Sequence, residues 1–306
     1  SGPFDIPEPY DRGFAGARAT EADGVGGVFW VGQPALLDRE ERTDRAVVVG
    51  HWDGETEPRI SETLGPVGTT TDFTRGFMHP SGDFIAMGNH IVEGFSRTYV
   101  ARVRPDASFA WVWESPRGFF SGPNWPTAAI TGDGDLVVLL MEPAVRRGFF
   151  MMRLSAEGVP ASEEPVQIWE EDFFQFTITE GGLLAAGHAD GSFHVVWSDA
   201  DTLRIMRFSR DGTPLWPPER RFFGGGTNFF EIQMFPDTEG GVWLVWNNAG
   251  QDGNVQHLDS SGWPLYWRWN FRDCGQYAAV IARPSPDAEP LIYESERHPG
   301  IRPFTP

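Results

Sequence analysis

The sequence contains no lysine: all 24 of its basic residues are arginine. Schiff-base catalysis, a pyridoxal phosphate anchor and a P-loop lysine are excluded with it. The replacement of lysine by arginine fits either a GC-rich genome or a salty or extracellular setting. Cysteine is nearly absent as well. Cys274 stands alone, so there is no internal disulfide, no CxxC pair and no cysteine-built metal site. It reads as a small residue filling space. No apolar run approaches the roughly 18 residues of a membrane helix, and no amphipathic stretch of three helical turns is free of Gly and Pro. Basic charge is scarce overall. A formal net charge of −19 repels polyphosphate, which removes nucleic acid from the partners.

Familiar catalytic motifs are missing too. There is no G-x-S-x-G, and Gly94-Phe95-Ser96-Arg97-Thr98 lacks the closing glycine. There is no H-E-x-x-H, and the seven histidines are scattered. His79 and His188 fall at equivalent points of a repeat, as turn residues or as a shared ligand pair. Gly224-Gly225-Gly226 is followed by a strand pattern, so it lacks the helix N-terminus of a nucleotide loop and reads as a connector. Asp133, Asp135, Asp199, Asp201, Asn247, Asn248, Asp252 and Asn254 crowd tight loops, where they could bind calcium weakly. None follows EF-hand spacing, so no metal site and no cofactor is expected.

What the chain has in quantity is short strand patterns divided by turn residues, with Gly 36, Pro 25 and aromatics at 14%. The stretch Gly191 to Trp216 shows the unit. Phe193–Trp197 reads as a strand, Ser198 to Asp201 as a turn, Leu203–Phe208 as a strand, and Ser209 to Gly212 as another turn before Leu215-Trp216. Links this short make antiparallel neighbours. A turn followed by an apolar strand recurs at Gly27, Gly82, Gly134, Gly191, Gly240 and Asp287, roughly 50 residues apart, which is a propeller-blade period. Runs such as Val137 to Met141 and Val242 to Trp246 are apolar throughout, as strands covered on both faces must be.

The expected fold is all-β, a single six-bladed β-propeller domain over residues 1–306 with four-stranded antiparallel blades. The blades fall near 13–62, 73–114, 125–170, 181–221, 229–268 and 276–306. The last is short, so Phe4-Asp5-Ile6 within residues 1–12 is expected to close the ring, because an open end would expose unpaired backbone.

The turns Arg104 to Phe109, Ser209 to Trp216 and Asp259 to Trp267 share an Asp that can bond backbone N–H groups two residues on, then an aromatic. This repeat resembles that of secreted bacterial β-propellers and is similar to a degenerate Asp-box of the sialidase-like propellers. Ser209, Asp211 and Trp216 match the box, while the Gly and Thr between them are displaced. The resemblance implies fold and a structural role for the turn. It does not extend to sialidase chemistry, since no Phe-Arg-Ile-Pro-like start is present.

Function is expected where loops of uneven length gather, on the face shared by the interblade links and the links between second and third strands. Phe95, Trp125, Arg146, Arg147, Trp269 and Arg272 are the candidate ligand-binding residues there. Aromatics beside arginines suit a sugar ring or a protein hot spot. The expectation is a non-catalytic binding module, secreted, periplasmic or cell-surface, that takes a protein or a glycan. The alternative is a carbohydrate-active hydrolase or lyase. It would draw two carboxylates from Glu142, Glu170, Glu171, Asp172, Asp199 and Glu231. The start at Ser1-Gly2 fits either a removed leader or residues added for expression.

Overall fold

A computed structural model describes residues 19–32, 48–62, 71–92, 95–116, 118–119, 127–141, 147–172, 183–199, 202–216, 220–223, 229–248, 253–265, 269–271, 279–282, 291–294 and 300–303. Among them there is no helix, and the strands form six antiparallel sheets in chain order. The first holds β1 (Ala19–Ala22), β2 (Val28–Gly32), β3 (Val48–Trp52) and β4 (Arg59–Ile60). The second holds β5 (Thr71–Met78), β6 (Phe84–Val92), β7 (Phe95–Val103) and β8 (Phe109–Glu114). The third holds β9 (Thr127–Ile130), β10 (Leu136–Leu140), β11 (Arg147–Leu154) and β12 (Val166–Asp172). The fourth holds β13 (Leu183–Gly187), β14 (Phe193–Asp199), β15 (Thr202–Phe208) and β16 (Arg220–Phe223). The fifth holds β17 (Phe229–Pro236), β18 (Val242–Asn248), β19 (Gly253–Leu258) and β20 (Trp269–Phe271). The sixth has three strands among the described residues, β21 (Ala279–Ala282), β22 (Leu291–Glu294) and β23 (Gly300–Pro303). Phe4 to Ile6 lie outside the described residues.

Each sheet is a meander, strand pairing with the next in sequence. The local chemistry explains the tight corners. The link between third and fourth strands closes by an N–H to C=O bond, as from Gly212 to Ser209 at 3.0 Å, with Gly212 at φ 87°. Glycine adopts that left-handed conformation without a Cβ penalty. Gly158 and Gly262 serve the same place in neighbouring sheets, while the second sheet uses Ala107 at φ 65°. Asp211 sits in this turn: it accepts from the Ser209 hydroxyl, and Thr213 N–H donates to Ser209 Oγ at 3.0 Å. Leu215 N–H then bonds Arg207 O at 2.8 Å.

Contacts divide the chain into two compact units, Ser1–Pro126 with Leu140–Val145 and Leu154–Pro165, and Thr127–Leu139 with Arg146–Arg153 and Val166–Pro306. In the first, Phe29, Val31 and Val49 pack on Phe84, Ala86, Tyr99 and Ala101, so its core lies between the first and second sheets. In the second, Leu184, Val196 and Ile205 pack with Ile232, Leu244 and Trp246, between the fourth and fifth. Strands covered on both faces are apolar along their whole length. Leu136–Leu140 is buried at every position, as are residues 242–246.

Candidate functional site

Antiparallel order gives each sheet two ends. The links from first to second and from third to fourth strand share one, here the turn end. The second-to-third links and the way to the next sheet share the other, the loop end.

At the turn end the charged groups tie sheets together. The third strands carry His51, Arg102, Arg153, Arg207 and His257, and four of these pair across the ladder with the second residue of a second strand: His51 with Phe29, Arg102 with Ile85, Arg207 with His194 and His257 with Trp243. Arg102 Nε donates to Asp83 at 2.6 Å, and its Nη1 donates to Ala156 O in the next sheet's turn at 2.6 Å. Arg153 donates to Asp135 at 2.9 Å and to Arg210 O at 3.3 Å; Arg207 to Asp190 at 2.8 Å and to Ser260 O at 3.2 Å. His51 repeats this with Asp23 at 3.0 Å and Pro105 O at 2.7 Å. His257 Nε2 meets Asp237 at 2.8 Å. Each of the first four reaches forward, from one sheet to the next. Trp111 and Trp216 add indole N–H bonds to Ala156 O and Ser260 O, both 2.9 Å. These carboxylates are structural. Desolvation works against the ionised forms of Asp133 and Asp190, but hydrogen bonds from Thr131 and Ser192 and the adjacent arginines hold both below the usual range. The calcium reading of Asp133 and Asp135 is thereby corrected. Arg153 and Arg210 occupy both carboxylates, Arg210 at 2.9 and 2.8 Å, and a second cation would be repelled. Among the described residues no cluster of metal-ligating side chains occurs.

His79 and His188 are both turn histidines. His79 Nδ1 meets Ser81 Oγ at 2.8 Å. His188 Nε2 lies 2.6 Å from Nδ1 of His194, and its ring is also bonded to the Asp237 backbone. One nitrogen of that close pair donates and the other accepts. Burial, with Arg207 adding to it, brings His188 down to about 4; burial pushes fully enclosed His194 well below its ordinary value.

At the loop end, strands run further than the sequence reading allowed. Phe95, a candidate for the loop-rich face, is not on a loop. Instead β6 and β7 pair to their ends, Val92 opposite Phe95, with only residues 93–94 between them. Arg147 opens β11, its Cα opposite Asp172, and Trp269 lies in β20 opposite Val255. Both had been read as loop residues. The backbone ladder, not the side-chain type, decides these positions. Asn247, Asn248 and Asn254 likewise belong to β18 and β19, and Asp199 to β14. Trp125, Arg146 and Arg272 lie outside the described residues. Of the candidate carboxylates, Glu170 is exposed on β12.

The second sheet brings together a group that the sequence reading missed. On one face near the loop end, Thr98 Oγ1 donates to Asn89 Oδ1 at 2.7 Å, and Thr98 N–H donates to Ser115 Oγ at 2.9 Å. Ser115 Oγ donates in turn to Phe119 O at 2.5 Å. The opposite face differs. His90 and Tyr99 are both 0% exposed, with ring centroids 5.7 Å apart. Neither nitrogen of His90 nor the Tyr99 hydroxyl has a hydrogen-bond partner. Tyr99 crosses directly over Gly88, where a Cβ would stand 2.1 Å from the hydroxyl. Burial lowers the His90 pKa, Glu114 opposing and Arg97 adding to the effect, and burial raises that of Tyr99. Both side chains are therefore neutral. Arg97 and Glu114 pair beside them at 3.5 Å. The signal lay in Gly88-Asn89-His90, whose polar residues looked like loop but alternate across a strand.

No family model matches this chain, and no curated protein matches it. Solved structures do. Over 94% of its length the chain is similar to prolyl oligopeptidase B from Galerina marginata, at TM-score 0.53 and 10% identity. It spans only 39% of that protein. Over 91% it is similar to the periplasmic gluconolactonase of Pseudomonas aeruginosa, at TM-score 0.52 and 13% identity, covering 78% of that chain. Likeness at this identity fixes the architecture alone. The fold is that of the β-propellers, built from successive antiparallel sheets.

Proposed function

We propose that the protein is a six-bladed propeller, closed by its N-terminal segment, that works as a secreted, periplasmic or cell-surface module binding a protein or glycan at its loop end without transforming it. One contrast carries this reading. At the turn end the third-strand cations and their carboxylates are bonded to each other and to backbone. At the loop end of the second sheet, buried neutral His90 and Tyr99 keep donors and acceptors uncommitted, and the carboxylate beside them, Glu114, is neutralised by Arg97. Uncommitted neutral donors and acceptors of that kind suit recognition of a polar ligand. A three-stranded sixth sheet among the described residues, one strand fewer than the others, supports completion by Phe4 to Ile6.

The test is a glycan array with a pull-down from native lysate, run on wild type and on Trp125→Ala/Arg146→Ala/Arg147→Ala. Binding lost in the triple variant with an unchanged melt supports the module. Turnover of a bound glycan assigns the face to a carbohydrate-active hydrolase or lyase instead. Unchanged binding places the site away from these three residues.

A further inference from the structure

We infer that His90 and Tyr99 form a recognition site for a neutral, hydroxyl-rich ligand, a saccharide, entering between the first and second sheets at the loop end. The inference rests on the module reading and names its ligand class. Both side chains project from one face of the second sheet: Tyr99 is the cross-strand partner of Gly88, and His90 is two residues further along the same strand. That face also carries Phe84 and Ala86, which pack on Phe29, Val31 and Val49 of the first sheet. His90 stands two residues from the end of β6, near the loop end of the sheet.

The chemistry narrows the ligand. A buried polar atom without a partner costs roughly 1–3 kcal/mol, a cost relieved when something bonds it. A neutral imidazole offers one donor and one acceptor, and a phenol offers both. A set balanced in this way matches hydroxyl groups, which also donate and accept. It does not match a carboxylate, which only accepts, or an ammonium, which only donates. The Arg97–Glu114 pair beside it adds no net charge, although the buried Arg97 Nε is one further donor without a partner. The other face of the same sheet is an internal control. Asn89, Thr98 and Ser115 are as deeply placed, yet they bond one another and the backbone.

Calorimetry with neutral mono- and disaccharides and their uronic acid counterparts tests this, with thermal unfolding of each protein in parallel. Wild type should bind a neutral saccharide about tenfold or more tighter than the matching uronic acid. Tyr99→Phe should weaken that binding by about tenfold while leaving the melt unchanged or higher, because an unpartnered hydroxyl has been removed. His90→Leu should act in the same direction. Three results would overturn the inference: saccharide binding unchanged in Tyr99→Phe, a preference for the uronic acid, or a Tyr99→Phe melt lowered without any loss of binding. The last would assign the hydroxyl to the fold. If wild type binds no saccharide but captures a protein through the residues of the triple variant, the site inference fails and the module stands. If neither ligand class binds, both fail.

Discussion

An unfolded histidine takes up a proton near pH 6.5, whereas burial delays His188 in the fold to about pH 4. Between those values the unfolded chain holds the extra proton. Stability is therefore complete above about pH 6.5 and falls as pH drops towards 4, by roughly 3 kcal/mol at about 1.4 kcal/mol per pH unit. His194 and His90 act in the same direction. The lowered carboxylates, Asp190 among them, lose their contribution only below their ordinary value of 3.8, outside this window. Thermal unfolding from pH 7.5 to 4.5 should show a falling midpoint that His188→Asn flattens. A wild-type midpoint constant across that range would mean the ring is hydrated in the fold. The turns give a second prediction at this scale. Gly212→Ala places a Cβ 2.5 Å from Ile168 Cγ2 in a left-handed conformation, and should cost about 2 kcal/mol in chemical denaturation. Ala107→Gly, at the corresponding turn of the second sheet, should be neutral or stabilising by up to about 1 kcal/mol, since relief of strain offsets added unfolded-state freedom.

Elements were legible where their chemistry is local. Apolar runs bounded by turn residues located second strands most plainly in the third and fifth sheets, where burial at every position of Leu136–Leu140 and of residues 242–246 leaves no polar side chain. Strand ends were not legible. Gly88, Asn89 and His90 make a loop-like run, yet Asn89 accepts a cross-strand bond from Thr98 and lies buried in the sheet. The ties between sheets were invisible for another reason. Arg153 and Asp135 stand 18 residues apart and read singly as solvated surface, although a basic third-strand residue recurs at His51, Arg102, Arg153, Arg207 and His257. Arg153 tests their weight. Its side chain is 7% exposed, and Arg153→Leu would leave Asp135 with Arg210 alone and take the Arg153 donor from the Gly191 and Arg210 carbonyls. The expected loss is about 3 kcal/mol, read as a lower urea midpoint. A change near zero would mean the tie contributes only register.

For the whole molecule, the ring closure proposed above falls to the two ends of the chain. Deleting residues 1–9 should lower the melting temperature and promote self-association, seen by size-exclusion chromatography, if that segment pairs with an exposed strand edge. A monomeric profile with an unchanged melt would make the segment a tail. The forward reach of the third-strand cations has a mechanical consequence. Because Arg102, Arg153 and Arg207 each anchor in the turn of the sheet that follows, the third, fourth and fifth sheets cannot be peeled away without first releasing a neighbour's grip. Stretched between its termini in an optical trap, the chain should yield in successive rips of about 50 residues, one repeat at a time, as nearest-neighbour coupling in repeat proteins dictates.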